Sequence, residues 1–189
     1  GLLSENRETI GMALLRKGIT DINTEDPELV DQAVSDLQEL YDICNVKVDD
    51  LQYQTVPEGS SWLHQAWSGD MIAGYIYYLP KDTPASALAY WKAPHGKVPV
   101  QNDCFAICST TEKPVLSHLF LNYLLDNGVA YENFVDFNGY QPPLNEIDPS
   151  TLVQKGVVPE HLENSVLTKE ELGPDSLQYG TLTSQGQQL

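Results

Sequence analysis

The pair Asp26-Pro27 constrains this chain more than any other local feature. An Asp side chain can cap the start of a helix, and Pro suits the first helical position after it. Leu29, Val30, Ala33, Val34, Leu37, Leu40, Tyr41 and Cys44 then follow at helical spacing. A helix with such an apolar stripe has to bury it against another element. A partner precedes it. Ser4 can cap a helix running to about Lys17, with Ile10, Ala13 and Leu14 on one face, Glu5 and Glu8 in the first turn, and Gly18 as the stop.

Beyond these two helices the pattern changes. Residues 46–53 read as a strand, and residues 60–67 as a short helix leading into Ser68-Gly69-Asp70. The nearly continuous apolar run 71–79 (MIAGYIYYL) reads as a buried strand. Residues 97–109 supply one or two more strands. A helix over 113–126 is capped by Thr111 and stopped by Asn127-Gly128. Another spans 130–137 and ends at Asn138-Gly139, with short helical pieces at 149–154 and 159–164. The final SLQYGTLTSQGQQL has no periodicity and reads as disordered or as a cut edge. There are no internal repeats. Strands and helices mixed in this way predict an α/β arrangement in layers.

With 189 residues and 41% hydrophobic content the chain can bury a core. No segment reaches the ~18 consecutive apolar residues of a membrane helix. The opening GLLSENRETIGMALLRKG lacks the apolar run and cleavage site of a secretory leader, so the chain reads as a mature form or a piece of a longer protein. Twenty-seven acidic residues against ten basic ones give a net charge of −17. That balance repels nucleic acid and attracts cations. Cys44, Cys104 and Cys108 show no CxxC spacing, and with no His cluster beside them a zinc site is not expected. All three read as small buried hydrophobes.

Few residues stand out for chemistry. Glu5 and Glu8 lie three apart on one helical face, where two carboxylates can serve as acid and base, as metal ligands, as an anchor for an ammonium group, or as a solvated first turn. Trp62 and Trp67 precede the Ser-Gly-Asp turn, placed either in a core or at the mouth of a cleft. Asp103, just after Gln101, and Tyr140, just after Asn138-Gly139, are further polar candidates. The sequence has no GxSxG, GxGxxG or P-loop pattern, and His64, His95, His118 and His161 lack a triad-like context. The residues give no ground for catalysis, for a catalytic residue or for a cofactor.

Taken in order, LLSENRETIGMALLRKG, NTEDPELVDQAVSDLQEL, HQAWSGD, VPVQNDCFAI and DFNGYQPPLNEI resemble the second half of spermidine/putrescine-binding proteins, the extracytoplasmic receptors of polyamine ABC importers. The resemblance covers about residues 1–150. It implies an α/β, type II periplasmic-binding-protein-like lobe, a mixed sheet flanked by helices, with the first lobe missing ahead of Gly1. It further implies a second-lobe core over 1–102, a segment over 103–148 that would cross to the first lobe, and a return with a flexible tail over 149–189. The implied function is capture of a polyamine in an interlobe cleft by carboxylates and aromatics, without enzymatic activity. The location would be the periplasm or the cell surface as a lipoprotein, the partner an ABC permease, and the orphaned segment a place for dimerisation. The ligand-binding residues implied are Glu5, Glu8, Trp67, Asp103 and Tyr140. Gln101 stands where the family usually has Trp, and Gln178 is a further polar contact. A related receptor for another organic cation, and an acidic hydrolase using Glu5 and Glu8, are the alternatives.

Overall fold

The computed structural model describes residues 1–94 and 98–188. Seven α-helices are present among them: α1 (Asn6–Arg16), α2 (Pro27–Ile43), α3 (Gln52–Thr55), α4 (Ser68–Tyr77), α5 (Pro114–Leu124), α6 (Asn127–Asn133) and α7 (Pro149–Gln154). Short 3-10 turns lie at Ala85–Ala87, Glu160–Ser165 and Gly186–Gln188, and a π turn at Phe134–Asn138. The chain is 45% helical and 2% strand, with no sheet among the described residues. This overturns the expected mixed sheet of an α/β periplasmic-binding-protein-like lobe. Extended pairing is confined to two isolated parallel bridges, Leu2 with Val48 and Pro99 with Leu177.

The reason is visible in the strand-like runs. All but the last two residues of MIAGYIYYL belong to α4: Met71, Ile72 and Gly74 are buried, while Ile76 and Tyr77 are exposed. A short apolar run bounded by turn residues suits a buried helix as well as a buried strand, and here Asp70 in the first turn favours the helix. Residues 46–53 divide between the bridge at Val48 and α3, and residues 60–67 are turn and extended chain rather than helix. In the run expected as strand over 97–109, Lys97 lies outside the described residues, as does His95. Pro99 has no N–H to give a ladder, so pairing there stops at one bridge. Cys44, Cys104 and Cys108 are free and exposed, not buried: the 104–108 stretch stays on the surface instead of entering a sheet, and Cys44 stands at the exposed end of α2.

Helix starts follow the local chemistry. Asp26 caps α2 by accepting from Glu28 N at 2.9 Å, and Asp148 caps α7 from Thr151 N at 2.8 Å. Ser4 does not cap α1. Its backbone N–H and hydroxyl both bind Asp50, and Glu5 takes the cap position without a side-chain bond. Thr111 accepts from Lys113 N at 3.3 Å but does not cap α5, whose N-cap is Lys113.

Two cores result. α1 packs on α2 through Ala13, Leu14 and Ala33, with Ile10, Leu29 and Leu37 at the rim. The larger core gathers Met71, Ile72, Leu88, Phe134, Ile147, Leu152, Val158, Leu162 and Val166 around α4. Thus 134–147 joins the main core, whereas α5 has no buried residue and exposes Val115, Leu116, Leu119 and Phe120.

The C-terminal stretch is held by bonds rather than by periodicity. Asn23 donates Nδ2 to Gln178 O (2.8 Å) and accepts from Gly180 N (2.7 Å) and Arg7 (2.7 Å). Arg7 donates to Gly180 O and lies 5.0 Å over the Tyr179 ring. Thr183 closes on Glu25 through its backbone and hydroxyl. This tether carries Gln178 and Tyr179 to the same end of the molecule as the start of α1.

A buried ion pair holds the preceding stretch. Lys92 Nζ is 2.7 Å from Glu171 Oε2, with little of either side chain exposed, and the same oxygen accepts from Thr168 N at 2.8 Å. Burial alone raises the Glu171 pKa, but the Lys92 and Thr168 bonds outweigh it, and the carboxyl lies below its ordinary 4.5. A depressed folded-state pKa stabilises above the unfolded value and loses that contribution as pH falls through the folded value. Acid unfolding monitored by far-UV circular dichroism is therefore expected to begin below pH ~4.5 with a contribution from this pair. Lys92→Met strands the carboxylate, which is expected to cost about 2 kcal/mol at neutral pH and less once Glu171 is protonated. An equal loss at pH 3 and pH 7 would show that the pair is not responsible.

Candidate functional site

The site residues expected from sequence come from distant segments, and most of them meet beside the first turn of α1. Glu8 projects from α1 and is half-buried. Trp67, the residue that starts α4, turns its indole Nε1–H onto both Glu8 oxygens, 3.0 Å from Oε1 and 2.8 Å from Oε2. Gln101 donates Nε2 to the same Oε1 at 2.8 Å. Thus one carboxylate is fixed by an indole and an amide, and its charge is not neutralised by a Lys or Arg among the described residues. Gln65 ties the helix in place by donating to Glu8 O at 3.0 Å.

Gln101 and Asp103 lie on exposed extended chain and line a cleft of about 310 Å³ with Val100, Asn102, Gln178 and Tyr179. The bridge at Pro99 and the bond from Val100 N to Leu177 O (2.8 Å) set these two stretches side by side. The Arg7–Asn23 tether then fixes the far wall of the cleft.

Tyr140 packs on the start of α4 instead of lining this cleft. Gly139 turns the chain with φ +75, and the Tyr140 ring lies against Gly69 so closely that a Cβ at Gly69 would fall 2.4 Å from it. Tyr140 Oη donates to Asp70 Oδ1 at 2.6 Å. Burial first, then the bond to Asp70 and the charges of Asp70 and Asp103, push the Tyr140 phenol upward, so it remains a neutral donor. Burial, and then the charges of Asp70 and Glu8, raise the Tyr90 phenol to about 12, and its hydroxyl donates to Ala66 O at 3.0 Å.

Glu5 does not join this group. It is exposed at the N-cap of α1 and makes no side-chain hydrogen bond among the described residues, so the two glutamates do not form a working pair. Trp62 is 98% exposed and takes no part. The residues that sequence reading passed over are Asp70, Gln52, Tyr90 and Tyr179. Asp70 is the one with a sequence signal, since it closes the WSGD turn directly after Trp67. Gln52 has none: a glutamine on a one-turn helix gives no hint that it is fully buried.

Chemically the site offers a fixed carboxylate, a second exposed one, aromatic faces and amide groups. That set can hold an ammonium and pack alkyl carbons, and it contains no nucleophile activated by a base. Among the described residues no three His, Cys, Asp or Glu side chains converge to share a metal ion. No helix there is long and apolar enough to cross a membrane.

No family model, curated protein or solved structure matches the chain.

Proposed function

We propose that this chain binds a small organic polycation, a linear polyamine such as spermidine or putrescine, as the ligand-holding part of an extracytoplasmic receptor for an ABC importer. The observation that carries the reading is Glu8, a carboxylate fixed by Trp67 and Gln101, with Asp103 two residues along from Gln101 and Tyr140 packed on Gly69 at the start of α4. Polyamines alternate ammonium groups with methylenes, so their receptor needs carboxylates separated by aromatic faces. Charge-assisted hydrogen bonds contribute about 1.5–3 kcal/mol each and cation–π contacts roughly 0.5–2. The net charge of −17 concentrates cations around the whole molecule. The receptor role, the permease partner and the extracytoplasmic location rest on the order of the sequence motifs. The ligand class rests on the chemistry of the cleft and does not depend on a sheet.

Tryptophan emission tests the ligand class. Trp62 and Trp91 are 98% and 79% exposed, so a ligand in the cleft acts mainly on Trp67. Spermidine is expected to change emission saturably, while NaCl at matched ionic strength leaves it flat, and Trp67→Phe removes the change. A response that NaCl reproduces would rule the reading out.

A further inference from the structure

Asp70 lies in the first turn of α4, bonded to Tyr140, and its surroundings are short of positive charge. Its Oδ1 accepts from Tyr140 and its Oδ2 from Gln52 Nε2. No Lys, Arg or His reaches it among the described residues. Burial first, and then the nearby charge of Asp50, raise its pKa against the lowering effect of the Tyr140 and Gln52 bonds.

Gln52 adds an independent observation. Its side chain is fully buried at 0% exposure, and its Oε1 has no hydrogen-bond partner among the described residues. Flipping the amide would set its oxygen against the Asp70 carboxylate, so the bond to Asp70 fixes which end is left over. Thr55 Oγ1, one turn further along α3, is likewise buried without a partner. Buried acceptors without donors are costly and are rare in native proteins. A water molecule could satisfy Gln52 and Thr55 but would leave the Asp70 charge uncompensated. An ammonium group supplies several N–H donors and the missing charge together.

The two carboxylates belong to one neighbourhood. Trp67, whose indole holds Glu8, and Asp70 are one helical turn apart at the start of α4. Tyr90 senses the charges of both Asp70 and Glu8, and Tyr140 those of Asp70 and Asp103. Trp67 therefore links the two acidic groups along the start of α4, its indole on Glu8 and its helix carrying Asp70.

We propose that Asp70, Gln52 and Tyr140 form an inner subsite for one ammonium of a diamine whose other ammonium is held by Glu8 and Asp103. The inference rests on the cation-binding reading of the cleft and gives the second ammonium of such a ligand its own partners. A monoamine fills the outer position only. Binding at the inner one favours the Asp70 carboxylate, so a diamine lowers the Asp70 titration midpoint and binds more tightly as pH rises through it.

The test compares 1,4-diaminobutane with butylamine by calorimetry on wild type and Asp70→Asn, alongside carboxyl-carbon NMR of Asp70 in wild type. Wild type is expected to prefer the diamine by about ten- to a hundredfold, the worth of one charge-assisted contact. Asp70→Asn keeps an acceptor for Tyr140, and is expected to erase that preference while leaving butylamine binding within about twofold. The NMR needs no variant. The diamine should lower the Asp70 midpoint and butylamine should not. If both amines bind wild type equally, or the diamine leaves the Asp70 midpoint unmoved, the subsite is overturned while the outer cleft stands. If neither amine binds wild type, the cation-binding reading fails and takes the subsite with it.

Discussion

Gly139→Ala is expected to lower the melting temperature by about 10 °C and to disorder the Tyr140 side of the cleft, an effect visible in thermal melts and in the Tyr140 amide resonance. Gly139 ends the π turn with φ +75 and ψ −9, donating its N–H to Phe134 O. An L side chain in that region costs about 1–2 kcal/mol. Space is the larger difficulty. A Cβ there would fall 2.2 Å from Gly69 O and 3.0 Å from Ala73 N, and both are backbone atoms of α4. Forcing extra volume into a packed contact costs a further ~1–3 kcal/mol. Against a total stability of about 5–15 kcal/mol this is a large loss. Since Phe134 in the same turn is 1% exposed, the strain passes directly into the main core. A variant that melts like wild type would mean that the turn does not approach α4 this closely.

Glu8→Gln is expected to weaken spermidine binding by about ten- to a hundredfold while leaving the melting temperature nearly unchanged, as measured by calorimetry and circular dichroism. The carboxylate accepts N–H groups from Trp67 and Gln101. Its replacement loses the charge and also places an amide N–H where one of those donors points, so Trp67 or Gln101 must move. Glu5→Gln is the control. Glu5 is exposed and unbonded at the helix start, and its change is expected to alter binding by less than about twofold, as for a solvated surface charge. Equal losses from both would restore the paired-glutamate site that the geometry does not support.

Parts of the molecule written in local chemistry were legible in sequence. Asp26-Pro27 predicts the start of α2, Pro149 that of α7, and Asn138-Gly139 the end of the π turn, because a cap or a left-handed residue acts within a few positions. The strand reading of 71–79 failed for the opposite reason. A continuous apolar run says that a segment is buried, not whether its hydrogen bonds close within itself or with a neighbour. The contacts of the tail were not legible either, since they come from Asn23, Glu25 and Arg7, more than 150 residues away in sequence. For the site, motif order pointed to Glu8, Trp67, Gln101, Asp103 and Tyr140, which the chain does bring to one region. It also pointed to Glu5, which stands apart. Asp70 was passed over although it follows Trp67 in WSGD, because a single Asp after a Gly reads as a turn. Gln52 was hidden because nothing in a four-residue helix announces burial.

One measurement bears most directly on the cleft as a cation site: an amide and indole NMR titration with spermidine, run beside a NaCl titration of equal ionic strength. The indole of Trp67 and the amides of Glu8, Gln101, Asp103 and Tyr140 are expected to shift together and saturate, while the Trp62 and Trp91 indoles stay in place. Shifts that follow ionic strength alone, or that spread evenly over the acidic surface, would contradict the account.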